Sequence, residues 1–147
     1  MGELLTGTHN FGVAPIRAAA TADSFKAALY LASATVNAAT TVFSATGEVS
    51  GTGYTTGGVA VTNGTVPAAT NSSATAGVAY WTPSASITYT TVTLATAFDT
   101  VLIYNSTQGD KAVSVHTFGS QTITAGTFTL TMPVNNTSTA LLRLATV

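Results

Sequence analysis

Charge is what this sequence has least of. Its 147 residues include four Lys/Arg and five Asp/Glu, a charged fraction of 6% where about 25% is ordinary for soluble domains. Four cations cannot neutralise many phosphates, so sequence-independent nucleic-acid binding by counterion release is excluded. A polybasic membrane surface is excluded on the same ground. There is no cysteine, which removes disulfide frameworks, thiolate nucleophiles and Cys-type zinc sites, and leaves the redox compartment open. Long apolar runs are missing as well. No charge falls between Glu48 and Asp99, yet that stretch is broken by Thr, Gly, Asn and Pro and contains no block long enough to span a bilayer. Residues 1–15 set Glu3 before Leu4 and Leu5 and lack a basic segment followed by an apolar one, so Sec-type export is not expected.

Thr, Ala and Ser fill the gap, at 31, 25 and 12 residues. The length suits one domain, able to bury roughly two-thirds of its unfolded surface. Period-two patterning dominates. Residues 127–132 alternate Thr with Phe128, Leu130 and Met132, a half-buried strand whose Thr side is left for solvent or a partner. In residues 111–118, Val113 and Val115 share one face and Ser114 and His116 the other; in residues 25–31, Phe25, Ala27, Leu29 and Leu31 fall together. Residues 87–94 shift their apolar phase from Ile87 and Tyr89 to Val92 and Leu94, which predicts a bulge or a switch of sheet. The continuous apolar residues 101–104 predict a central strand covered on both faces. Residues 141–144 read as a terminal strand, and weaker strands are expected at 58–62 and around Tyr80-Trp81. Turn chemistry separates them at 105–110, Gly119-Ser120, Ala125-Gly126 and 135–138. About eight short strands at this spacing predict an all-β fold, a β-sandwich or jelly roll. Residues 1–22 are expected to form an N-terminal arm, and residues 23–147 a single domain. Within that domain, residues 47–77, with seven glycines, are expected to be a loop-rich insertion around one or two strands, holding the most mobile or partner-dependent backbone.

The search for chemistry is largely negative. Glu3, Asp23, Glu48, Asp99 and Asp110 are isolated from one another in sequence, and a glycosidase-like carboxylate pair normally comes with aromatic platforms. Asp23 is expected at the start of a strand, and Asp110 with Lys111 as a solvated pair at a turn. His9 and His116 have no ligand-spaced neighbour, so neither predicts a metal site or a catalytic base. No serine sits in a nucleophile elbow. Gly51-Thr52-Gly53 through Gly57 resembles a phosphate loop only superficially, since no Lys follows and no strand and helix flank it. The Asn-x-Ser/Thr triplets at Asn63, Asn71, Asn105, Asn135 and Asn136 are expected from the Thr content alone. No catalytic residue, cofactor site or metal site is therefore assigned. A Thr-rich, charge-poor surface instead fits protein contacts, whose centres are depleted in Lys, Glu and Asp.

Five phrases, residues 3–11, 24–30, 48–58, 101–107 and 111–119, in this order and spacing across nearly the whole chain, resemble a family of small structural proteins of tailed bacteriophages. The resemblance implies a virion component without catalytic activity, a head decoration (cement) protein or a head-tail accessory protein. It transfers no catalytic residue. It implies the major capsid protein or other virion proteins as partners, the capsid surface as location after synthesis in the host cytoplasm, and no nucleic-acid or membrane partner. Expected contacts are Leu4, Leu5, His9 and Phe11 in the arm, with Glu48, Val49 and Tyr54 in the Gly-rich loop. Exposed sheet edges add an expectation of self-association as a dimer or trimer. Two alternatives stand beside this reading: a neck, tail or fibre-base component, and a carbohydrate-binding module or adhesin stacking sugars on Tyr80, Trp81 and Tyr89.

Overall fold

The computed structural model describes residues 23–63, 68–72 and 75–145, and among these the chain is all-β with no helix. Seven strands run in the order β1 Phe25–Leu31, β2 Val59–Val61, β3 Ala68–Ser72, β4 Thr75–Trp81, β5 Ile87–Asn105, β6 Lys111–Leu130 and β7 Leu142–Ala145. They form two antiparallel sheets, β2-β1-β5-β6 and β3-β4-β7.

The strand count departs from the expected eight because β5 and β6 each join two expected strands. Gly119-Ser120 and Ala125-Gly126, expected as turns, lie inside β6. The β5–β6 register slips between Tyr89 and Val92, Val92 and Leu94, Leu94 and Phe98, and Phe98 and Thr100, so turn-forming residues are absorbed as bulges. Thr91 at φ 53° marks the first of them, where the phase change of residues 87–94 predicted one, and Ala125 at φ 45° marks the second. The region 47–77, expected to hold one or two strands, contains β2, β3 and the start of β4.

The bulges let the β5–β6 ribbon fold over itself. Phe98 meets Phe118 at 6.0 Å and Phe128 at 5.1 Å between ring centroids, both edge-on, an arrangement aromatic pairs favour. Tyr89, from the far half of β5, reaches β1 and donates its hydroxyl to Ala27 O at 2.9 Å. The main core lies inside this fold, with Phe25, Ala27 and Leu29 of β1, Val101 and Ile103 of β5, and Trp81 from the second sheet. The two sheets meet where Trp81 packs on Phe25 at 6.2 Å.

As expected, residues 101–104 are buried and central, between β1 and β6. Strand β1 is covered on both faces too, because a smaller cluster of Ala28, Tyr30, Leu102, Tyr104 and Ala112 is roofed by Ala34, Val36 and Phe43. Val113 and Val115 do not share a face: a register slip between Ile103 and Tyr104 sends Val113 into the main core and Val115 to the smaller cluster. Asp23 sits at the start of β1 as expected, and it is a buried clamp. It accepts hydrogen bonds from Asn105 Nδ2 at 2.8 Å and Gln108 Nε2 at 3.0 Å, tying β1 to the β5–β6 turn.

The outer edge of β1 is filled in two instalments. Residues 59–61 pair with 25–27, while Val49 N–H donates to Leu29 O and Leu31 N–H to Gly47 O. Between them the chain crosses to β5, where Thr93 N–H donates to Thr52 O at 2.9 Å. Two glycines permit the approach. A Cβ on Gly51 would lie 2.0 Å from Thr93 O, and one on Gly58, at φ +73°, 1.7 Å from Ala27 O. Gly58→Ala should therefore lower stability by about 2–4 kcal/mol in urea unfolding. Gly109→Ala, also at positive φ but with open space around it, should cost only about 1 kcal/mol.

Candidate functional site

Of the seven expected contact residues, Leu4, Leu5, His9 and Phe11 lie outside the described residues. The other three share one interior site. Glu48 is 8% and Val49 4% exposed, so neither side chain is offered to a partner in this conformation. Tyr54 is half-buried and engaged on both sides of its hydroxyl, which accepts from Leu29 N–H at 3.0 Å and donates to Glu48 Oε1 at 2.6 Å. Gly57 N–H donates to the same carboxylate oxygen at 2.7 Å. Glu48 Oε2 is buried with no hydrogen-bond partner among the described residues. Sequence spacing explains the local fold: Glu48 precedes the crossing, and Tyr54 and Gly57 return to it at i+6 and i+9, closing the loop around the carboxylate.

Four tyrosines surround this centre. Tyr104 donates to Gly57 O at 2.8 Å, Tyr30 to Ser44 O at 2.6 Å, and Tyr89 to Ala27 O. Burial, with the nearby Glu48 charge, pushes Tyr54 and Tyr89 well up from the usual phenol range and raises Tyr30 against the opposing hydrogen bond to Ser44, and burial with Asp110 and Glu48 pushes Tyr104 up to about 12. All four are neutral hydrogen-bonding groups at physiological pH. The assembly fastens the Gly-rich loop to β1 and β5. Its N–H groups are turned inward, Tyr54 to Gly51 O, Gly58 to Thr55 O and Gly57 to Glu48, which accounts for the failed phosphate-loop match.

The remaining polar residues are dispersed. His116, half-buried with its basicity lowered by burial, lies 2.9 Å from Ser114 Oγ. It borders an apolar cleft of about 160 Å³ that also receives Ile87, Phe118, Leu130 and Met132. Asp99 accepts from the Thr100 hydroxyl at 2.7 Å, and Asp110 is exposed at its turn. Among the described residues no three His, Cys, Asp or Glu side chains group as metal ligands. Asn105 is fully buried and Asn136 caps the backbone of Ser138 and Thr139, so both triplets carry structural asparagines.

The sugar-stacking surface expected of Tyr80, Trp81 and Tyr89 is not presented. Trp81 is 3% and Tyr89 1% exposed, and Trp81 Nε1–H donates inward to Asn63 Oδ1 at 3.2 Å. What faces outward is a neutral skin. Ser50, Thr52, Thr55 and Thr56 cover the loop, and Thr88, Thr90, Thr127, Thr129 and Thr131 are exposed on the far half of the ribbon. The Thr alternation of residues 127–132 signalled this second patch. The two patches meet where Thr52 bridges Thr93. A scan against models of protein families, a search of curated proteins and a search of solved structures each returned no match.

Two outcomes follow from the Glu48 centre. Tyr54→Phe should cost about 1.5–3 kcal/mol, the range for a hydrogen bond to a charged group. In the Glu48→Gln background the same change should cost roughly half as much, a coupling measurable by a double-mutant cycle. Unfolded tyrosine ionises near its ordinary value of 10.0, whereas the folded values lie higher. The native state therefore binds more protons above pH 10, and stability should be flat below that pH and fall above it. Alkaline titration should show tyrosinate absorbance rising together with loss of far-UV β signal.

Proposed function

We propose that this chain is a structural component of a tailed-bacteriophage particle, a capsid decoration protein that binds the outer shell and stabilises the contacts between capsomers. The observation that carries the reading is the outward skin of Thr and Ser over an internally fastened β framework, in a chain whose ordered phrases resemble that family. A surface with so little charge has little to steer a charged substrate or a nucleic acid, and it suits a neutral protein interface. The two antiparallel sheets, with the β5–β6 ribbon folded over the core, are read as a β-sandwich variant. The function needs no cofactor. Binding energy of a standard-size contact of about 1,600 Å², repeated over the shell, would resist internal pressure by summation. The arm residues Leu4, Leu5, His9 and Phe11 are assigned to the capsid contact, and Glu48, Val49 and Tyr54 to shaping the loop that presents Thr52, Thr55 and Thr56.

A neck, tail or fibre-base role is the second reading within the same class, and copy number separates the two. Purified chain added to undecorated heads should bind at hundreds of copies per particle and raise the temperature at which they release DNA. The triple substitution of Leu4, Leu5 and Phe11 by Ser should abolish binding while leaving the urea midpoint unchanged. Saturation at about six to twelve copies would move the protein to the neck or tail, and no binding to any particle would sink the virion reading.

A further inference from the structure

The longest open edge in the described molecule belongs to β6. It has β5 on one side only. On the other side residues 41–43 bond to its beginning, Ala112 N–H donating to Thr41 O at 2.9 Å and Phe43 N–H to Asp110 O at 2.8 Å. Beyond that point the outer edge of β6 has no strand partner among the described residues. The opposite edge of the same sheet is β2, with three residues. Natural proteins blunt exposed edges with charge, proline or bulges. Strand β6 has no charged residue after Lys111 and no proline; its own extra residues lie upstream of Gly126, and the slip between Tyr89 and Val92, whose extra residue is on β5, falls opposite Thr127. Residues 128–130 pair regularly with 87–89. Here Thr127, Thr129 and Thr131 are exposed, and Phe128, Leu130 and Met132 are half-buried.

We propose that this stretch of β6 pairs antiparallel with the same stretch of a second copy, across a two-fold axis at Thr129. Thr127-Phe128-Thr129-Leu130-Thr131 reads as the same pattern of residue classes in both directions, which self-pairing requires. With the axis at Thr129, each Thr faces a Thr of the second copy and Phe128 faces the other chain's Leu130. Apolar groups meet on the inner face. On the outer face the contact between the Thr88 and Thr129 hydroxyls, 3.4 Å apart, continues across the junction as a Thr ladder, a favourable cross-strand pairing. No like charges are opposed. Head-to-tail addition to β2 could engage only its three residues, so the isologous pairing prevails and closes as a dimer. The pairing holds whether or not the protein decorates a capsid.

Sedimentation velocity of the full chain at tens of micromolar should give twice the 14.7 kDa chain mass. T129K and T129E each set like charges against themselves on the axis and should sediment as monomers with an unchanged far-UV β signal, their urea midpoints equal to that of the wild type at concentrations where it too is monomeric. Mixed in equal amounts, the two variants should regain the dimer mass. In the unmodified protein, those amides of residues 127–131 that point to the outer edge, away from β5, should exchange at least about tenfold more slowly at high than at low concentration. A monomeric wild-type chain, a dimer undisturbed by T129K, failure of the mixture to recombine, or no concentration-dependent protection would each overturn the proposal.

Discussion

The structure depends on one buried carboxylate. Glu48 accepts hydrogen bonds from Tyr54 and from the Gly57 amide, and it is the one group that ties both of these residues of the crossing segment to a single interior point. A charge in the interior is tolerated only when it is bonded, so the loop must wrap it, and the glycines must let the loop come close enough to do so. Tyr104 extends the arrangement to β5 through Gly57 O. Tyr54, stacked near Tyr89 at 6.0 Å, extends it to the folded-over half of the ribbon. The polar centre thus joins the edge of one sheet layer to the layer above it.

The scarcity of charge has two faces here. Inside, Asp23 and Glu48, two of the five acidic residues in the sequence, serve as structural acceptors, Asp23 clamping the start of β1 to Asn105 and Gln108. Outside, many of the exposed positions of the loop and of the far half of the ribbon go to Thr and Ser. A β-branched Thr fits a pleated strand and leaves a hydroxyl outward, so the composition serves strand formation and a neutral surface at once.

The legible parts of the fold were those with strong, uninterrupted pattern. Residues 25–31 and 101–104 declare themselves by alternation and by continuity, and the phase change at residues 87–94 announces its bulge. The merging of strands was hidden because a bulge uses the same residues as a turn, and Ala125-Gly126 carries no mark that distinguishes them. The split between Val113 and Val115 was hidden for the same reason, since a one-residue slip reverses a face. In the candidate site, the sequence singled out Glu48, Val49 and Tyr54 as a group but not their direction. Whether the carboxylate faces out or in depends on the Tyr54 hydroxyl, which is held in place by the Leu29 amide, a group that only the folded chain brings near.

The clamp between the beginning of β1 and the β5–β6 turn has a temporal side. Ser24 N–H donates to the Thr107 hydroxyl across 83 residues of chain, and β1 pairs along its whole length with the late strand β5. At ribosomal rates of about 5–20 residues per second, β1 waits on the order of ten seconds for that partner. During this interval its apolar residues, Phe25, Leu29, Tyr30 and Leu31, are without their final cover. Such non-local closure makes folding slow, and a nascent chain of this kind is most vulnerable to association or to chaperone capture before residue 105 emerges.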